Sequence, residues 1–248
     1  MEYTRSIAEL LRYIERNYQK DKALAERGPQ GWFYYSHQQL LREVKALALY
    51  LNSIGIKKGD MVGIVAQSGI RWVIADLAIM SCGGITVPVF ANIATENFLF
   101  ECQQTNVQTL FISGPDAWKA YGAHRELFKQ VIALDAPPEK EKTVTYEDAI
   151  QKGSLILTEK PESFDQLLDQ IKENDVATIV YTSSSTGVPK GVILTHKNIL
   201  FSGFTNYENL EETDRLLSFL PLAHIYMRIV TLISLRWNVG IYFLNDPK

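Results

Sequence analysis

The sequence predicts an α/β fold in which mainly parallel sheets are flanked by helices. Three observations carry this. Apolar runs of strand length recur between turn residues, as in "MVGIVA" at 61–66, "ITVPV" at 85–89 and "VATIVY" at 176–181. Segments with apolar residues at helical spacing lie between them. Strand-like and helix-like segments alternate along the chain, the order that builds βαβ units. At 248 residues the chain suits one large or two small domains and can bury a substantial core.

The elements follow in order. Ile7, Leu10, Leu11 and Ile14 fit one face of an amphipathic helix. "WFYYS", 32–36, reads as a strand. Ser36 with Gln39 three residues on is a capping-box signature, and Val44, Leu47, Ala48 and Leu51 supply the apolar face behind it. Gly55 is placed to end that helix. "KKGD" turns the chain into the strand at 61–66, and Ser68 is expected to cap a helix reaching about Cys82. Pro88 lacks an N–H, which predicts that its strand lies at an edge or ends there. Thr95 is expected to cap the next helix, with Phe98, Leu99 and Cys102 on one side. "TLFIS", 109–113, and "VIAL", 131–134, read as strands. Phe164, Leu167, Leu168 and Ile171 mark a helix whose charges face water. Residues 216–220 and 241–244 read as strands and 224–236 as a helix.

Lys and Arg number 25 against 28 Asp and Glu, so the chain lacks the basic footprint of a nucleic-acid binder. Cys82 and Cys102 sit in apolar stretches and read as buried free thiols of a reducing, cytoplasmic compartment. The longest apolar stretch, 72–90, is interrupted by Asp76, Gly83-Gly84 and Pro88. It therefore reads as a core helix, a break and a strand rather than a membrane span. No membrane anchor is encoded. H-E-x-x-H and C-x-x-C are absent, as are G-x-S-x-G and G-x-G-x-x-G. A structural metal, a hydrolase elbow and a dinucleotide fingerprint therefore lack their signals.

The densest chemistry lies in "VYTSSSTGVPKGVILTHKN", 180–198. Thr182, Ser183, Ser184, Ser185 and Thr186 offer five hydroxyls in a row. Gly187 opens backbone conformations closed to other residues. Pro189 stiffens the exit and Lys190 adds a compact cation. Converging donors plus a cation are what phosphate oxygens need. The Walker A pattern does not fit, because Pro189 precedes the lysine and Gly191 stands where a Mg²⁺-binding Ser or Thr belongs. A strand, "VILT", follows instead of a helix, with Thr195 capping a helix after it. The residues suit a phosphate loop spanning two strands; on spacing alone, a serine-rich surface hairpin remains the competing reading.

The same stretch resembles the signature loop of the adenylate-forming (acyl-activating) superfamily, Thr-Ser-Gly-Ser/Thr-Thr-Gly-x-Pro-Lys-Gly. "SFLPLAHIYMR", 218–228, is similar to a second motif of the long-chain fatty acid–CoA ligases. "LNSIGIKKGDMVGIVAQ", 51–67, and "MSCGGITVPVF", 80–90, resemble earlier motifs in the same order. The resemblance implies the large N-terminal domain of an enzyme that joins a fatty acid to ATP as acyl-adenylate and then to coenzyme A. It implies ATP, Mg²⁺ and coenzyme A as cofactors or co-substrates. It implies nucleotide-phosphate contacts from Thr182, Ser183, Ser184, Ser185, Thr186, Gly187 and Lys190. By resemblance Thr182 touches Mg²⁺, Lys190 offsets phosphate charge, and His224 lies beside the acyl and adenylate site. Without the resemblance, His224 reads equally as a cap at a strand-to-helix turn. His196 reads as structural, and His37 and His124 carry no signal. Trp72 and Trp237 read as core, with Trp237 also suited to lining an acyl channel. Arg228 reads as a surface or inter-segment ion-pair residue.

Three departures stand out. Ser184 occupies a position where the superfamily has Gly; if that position needs φ > 0, serine costs on the order of 1 kcal/mol. Met227 replaces a glutamate of the Pro-Leu-Ala-His-x-x-Glu-Arg pattern. The chain also stops at "FLNDPK", before the family's adenine- and ribose-binding segments and its small lid domain. Residues 1–248 are thus expected to form an incomplete N-terminal AMP-binding domain without full turnover. Self-association into a homo-oligomer would cover the surface so left, and peripheral membrane contact suits an enzyme of insoluble acids. The alternative is a non-catalytic nucleotide- or acyl-binding, regulatory module. A Walker-type NTPase has the wrong lysine context.

Overall fold

The computed structural model describes residues 4–138, 143–182, 188–204 and 210–244. Helix α1, Ile7–Asn17, starts where the Ser6 hydroxyl accepts the Glu9 N–H, and it buries Ile7, Leu10, Leu11 and Ile14. Strands β1, Leu24–Gly28, and β2, Gly31–Tyr35, form an antiparallel hairpin. Helix α2, His37–Ser53, carries both halves of the expected capping box. It stops at Gly55, whose φ of +95° suits glycine.

β3, Met61–Val65, α3, Ile70–Ser81, β4, Ile85–Val89, α4, Thr95–Gln104, and β5, Thr109–Ile112, then alternate. α5, Pro115–Tyr121, β6, Gln130–Ala133, and the short β7, Val144–Thr145, lead to α6, Tyr146–Glu159, and α7, Ser163–Leu168. β8, Val176–Thr182, and β9, Lys190–Thr195, precede α8, His196–Phe204. β10, Arg215–Ser218, α9, Ile225–Arg236, and β11, Gly240–Phe243, complete the fold.

Two sheets result. The larger has seven strands in the order β7-β6-β5-β3-β4-β8-β9 and is parallel apart from the antiparallel β8–β9 pair. The smaller runs β10-β11-β1-β2, with its first three strands parallel. Alternation along the strands divides the core. Val62 and Ile64 face the larger cluster, with α1, α2, α3 and α9. Val65, Leu110 and Ile112 face the smaller one, with Phe98 and Cys102 of α4 and Tyr121 of α5. The sheet is therefore covered on both sides, as parallel strands buried on both faces require. β4 lies on one side of β3 and β5 on the other, which opens a crevice above the carboxyl ends of β3 and β5.

Several expectations need correction. Of the two alternatives for Pro88, the edge is overturned, because β4 lies inside the sheet, and the strand end holds, because β4 stops one residue later at Val89. The Ile85 N–H points to β3 by donating to the Asp60 carbonyl, so alternation turns position 88 towards β8. β4 and β8 pair through Thr86 and Thr178, before Pro88 is reached, so the missing donor falls where no ladder needs it. Ser68 does not cap α3; Gly69 holds that position without a side-chain bond. Thr95 is the first helical residue of α4 and Ala94 precedes it as the cap. Strand β1 and helices α5 and α6 escaped the sequence pattern. In α6 the cause is Gly153, a helix-weakening residue that tight packing demands: a Cβ there would lie 1.8 Å from the Ala46 carbonyl oxygen of α2.

Candidate functional site

The hydroxyl-rich stretch joins two antiparallel strands. Thr182 ends β8, Lys190 begins β9, and the two are paired directly across the ladder. Both are exposed. Directly opposed residues of an antiparallel pair project to the same face, so one hydroxyl and one ammonium stand together at the mouth of the hairpin. Ser183, Ser184, Ser185, Thr186 and Gly187 lie outside the described residues. Gly191 has a packing reason of its own: a Cβ there would sit 2.9 Å from Ile179 Cγ2 and 3.4 Å from the Tyr181 ring. After β9 the Thr195 hydroxyl accepts the Asn198 N–H at 3.2 Å and starts α8, as expected.

Period-two alternation puts Thr178, Val180 and Thr182 on one face of β8. Arg228 of helix α9 reaches that face, donating from Nη1 to Thr178 Oγ1 at 2.8 Å. Thr178 Oγ1 in turn donates to the Thr86 carbonyl of β4 at 2.7 Å. The other limb of the same guanidinium grips Asp76 of α3, Nη2 to Oδ1 at 2.7 Å and Nε to Oδ2 at 3.0 Å. Arg228 is 2 % exposed, so it is an inter-segment ion-pair residue and not a surface one. Met227 beside it is buried in the larger core. A carboxylate at 227 would need a partner of its own, since Arg228 already holds Asp76.

His224 is the N-cap of α9 and is exposed. Its Nδ1 accepts the Tyr226 N–H at 3.2 Å, which leaves the ring proton on the outer nitrogen, Nε2. The turn before it is tethered as well: the Leu222 N–H donates to Ser68 Oγ at 2.8 Å. That bond is the actual use of the serine expected to cap α3. The structure thus puts Thr182 and Lys190 together and His224 on a separate turn, linked to β8 through Arg228. Asp76, Thr178 and Ser68 were missed as site-building residues. An acidic residue in the middle of a mostly apolar helix, Asp76, was the available signal.

A crevice of about 350 Å³ opens at the switch point, lined by Gln67, Ser68 and Gly69 after β3, Ser113 after β5, Asp135 after β6, and Glu26 of β1. Its carboxylates are engaged: Glu26 accepts the Ile70 N–H at 2.8 Å, and Asp135 accepts from Gly114 N at 2.7 Å and Trp118 Nε1 at 2.9 Å. Burial shifts several titrating groups elsewhere. His196 is pushed down to about 4 by burial, against the opposing pull of Asp175, and fits the structural role expected of it. Cys82 and Cys102 are buried free thiols, each raised to about 12 by burial, so both are unreactive. Trp72 is core, at 2 % exposure. Among the described residues, no group of three or more His, Cys, Asp or Glu is placed to hold a metal. No helix among them is long and apolar enough to cross a membrane.

Comparison with known proteins bears on the whole chain. The family described as AMP-binding enzyme matches residues 13–247. The long-chain-fatty-acid–CoA ligase FadD15 of Mycobacterium bovis is 28 % identical over 228 residues, covering 88 % of this chain and 36 % of the ligase. The chain thus spans about a third of the length of the curated relatives it matches. The fold matches the N-terminal domain of FACL13 from Mycobacterium tuberculosis with a TM-score of 0.75 at 18 % identity, over 99 % of this chain and 58 % of that one. It matches the anthranilate CoA ligase AuaEII, solved with anthranoyl-AMP, with a TM-score of 0.84 at 16 % identity, over 99 % of this chain and 46 % of that one. With the family match running through both sheets and the β8–β9 hairpin, the chain belongs to the AMP-binding enzyme family.

Proposed function

We propose that this chain is the N-terminal, nucleotide- and acyl-handling portion of a long-chain fatty acid–CoA ligase, spanning residues 1–248. The observation that carries the reading is Thr182 facing Lys190 across the mouth of the β8–β9 hairpin, four residues along β8 from the Thr178 hydroxyl that Arg228 of α9 reaches. The hairpin offers a polyphosphate one neutral donor where β8 ends and one cation where β9 begins, and the sequence between them adds the hydroxyls of Ser183, Ser184, Ser185 and Thr186. Neutral donors suit a group that must be held and then released as pyrophosphate.

The fatty acid carboxylate attacks the α-phosphorus of ATP; the bond to the bridging oxygen breaks and pyrophosphate departs. The thiol of coenzyme A then attacks the acyl carbonyl and AMP leaves. Lys190 balances charge on the departing phosphates. We assign His224, held by its Nδ1 cap, to the acyl-adenylate side, with Nε2–H as its available donor. Mg²⁺, when bound, neutralises phosphate oxygens. Thr182 is the described residue suited to touch it, since a hard cation that keeps its waters needs few protein oxygens. The reading assigns the reaction to the cytoplasm.

Calorimetry with MgATP and with pyrophosphate tests the hairpin, and thioester formation from ATP, palmitate and coenzyme A tests turnover. Binding that is lost in Lys190→Ala supports the assignment; binding unaffected by that change removes it. Met227, apolar where the related motif carries a glutamate, favours a second reading as a nucleotide- or acyl-binding module without turnover. MgATP binding with no thioester formed would select that reading.

A further inference from the structure

Three elements, α3, β8 and α9, meet at one guanidinium. Arg228 lies one helical turn after His224 on α9. It binds Asp76 of α3 at two points and Thr178 of β8 at a third. Thr178 Oγ1 passes the connection to the Thr86 carbonyl of β4. Arg228, Asp76, Thr178 and Thr86 are all buried, at 2 %, 4 %, 0 % and 0 % exposure. Four residues beyond Thr178, on the same face of the same strand, stands Thr182 with Lys190 opposite. At the other end, Leu222 N–H on Ser68 Oγ fixes the turn that delivers His224.

Asp76 takes Nε and Nη2 of Arg228, and the buried Nη1 still needs an acceptor, which Thr178 supplies. The third bond, to Thr178, ties the helix to the strand that carries the phosphate hairpin. A planar guanidinium fork holds such an arrangement at fixed angles, which a flexible ammonium does not. Thr178 Oγ1 is also spoken for in both directions, accepting from Arg228 and donating to Thr86, so its hydroxyl has one orientation. Through these bonds a shift of β8 along its axis would bear on α9.

We propose that Arg228 and Thr178 are positioning residues that fix the His224 turn relative to the hairpin mouth at Thr182 and Lys190, so that a change at one is felt at the other. This rests on reading the hairpin and His224 as parts of one site. Neither residue touches substrate; they act through the strand and the helix.

The test uses the full chain and three variants. Thr178→Val keeps the β-branched shape and deletes the hydroxyl. Thr178→Ser restores the hydroxyl. Arg228→Lys keeps the cation on Asp76 and gives up the fork, and it serves if the valine variant does not fold. The first readout is the His224 imidazole resonance in the ligand-free protein, identified by its disappearance in His224→Gln. It should move in Thr178→Val and in Arg228→Lys and return in Thr178→Ser. An unmoved resonance in the folded valine and lysine variants overturns the inference. The second readout is MgATP affinity, expected to fall about five- to tenfold in Thr178→Val and to recover in Thr178→Ser. Equal affinity in the valine and serine variants also overturns it. If the unaltered chain binds no MgATP, the functional proposal fails, and the ligand-free resonance still decides the coupling.

Discussion

Arg228 and Asp76, 152 residues apart, form a two-point ion pair whose side chains are only 2 % and 6 % exposed. Removing one member strands the other's charge in the interior. Arg228→Met should therefore cost about 3–5 kcal/mol, and the double variant Arg228→Met, Asp76→Leu should regain much of it, since apolar replacement of both partners avoids the stranded charge. Denaturant midpoints of the two variants decide this. A single variant as stable as the parent would mean that water reaches the pair.

Lys190 is exposed and begins β9, so replacing it should leave the fold alone. Lys190→Ala is expected to weaken pyrophosphate binding by about ten- to a hundredfold, the worth of one charge-assisted bond, with an unchanged melting temperature. Calorimetry beside a thermal melt separates the two effects.

Gly153→Ala offers a case in which helix propensity and packing disagree. In an exposed helix the change would stabilise by about 1 kcal/mol. Here the added Cβ meets the Ala46 carbonyl oxygen of α2 at 1.8 Å, backbone against backbone. The expected outcome is a clear loss of stability, because α6 must lift off α2. A rise in melting temperature would show that the helices separate at little cost.

His37 is fully buried at the start of α2, stacked on Tyr18 at 5.7 Å, and neither ring nitrogen has a hydrogen-bond partner among the described residues. Burial, helped by nearby Lys20, pushes it down to about 4. The unfolded chain takes up the proton first as pH falls, so His37 makes the protein less stable from its ordinary value of 6.5 down towards 4. His37→Phe keeps the stacking and removes both orphaned nitrogens. It should be stabilising, with a gain that grows between pH 6.5 and pH 5. A gain independent of pH would leave the nitrogens unimportant.

Glu101 on α4 works in the opposite sense. Its carboxyl is raised to about 7 by burial. The folded state keeps a proton that the unfolded chain releases, so stability is lost as pH rises from 4.5 through 7. Glu101→Gln should match the parent near pH 4.5 and exceed it at pH 8, as melting temperatures across that range would record. Identical pH profiles for the two proteins would contradict the assignment.

Much of the fold was legible because it is written in period and punctuation. Ser36 with Gln39, the apolar runs at β3, β4 and β8, and the turn glycine at 55 each encode their element locally. What escaped was set by distant packing. β1 is a strand because β2 and β11 flank it, and α6 contains a glycine because α2 approaches it. Ser68 looked like a cap, but its hydroxyl is taken by Leu222. At the site, the hydroxyl run and Lys190 could be read directly, since their chemistry is carried by residue type. The Arg228–Asp76–Thr178 cluster could not, because its members come from three elements whose meeting only the topology specifies.

The placement of β1 also constrains how the chain is made. Its first partner, β2, emerges from the ribosome a few residues later, but its second partner, β11, begins at Gly240. Until then the free edge of Leu24, Ala25 and Glu26 has no native mate, while the larger sheet up to β9 can already assemble. Long-range parallel pairing of this kind is slow, and an open edge invites pairing with the wrong strand. The small sheet therefore closes only after the strands of the larger one have been made, and the edge of β1 stays open to wrong pairing until β11 docks.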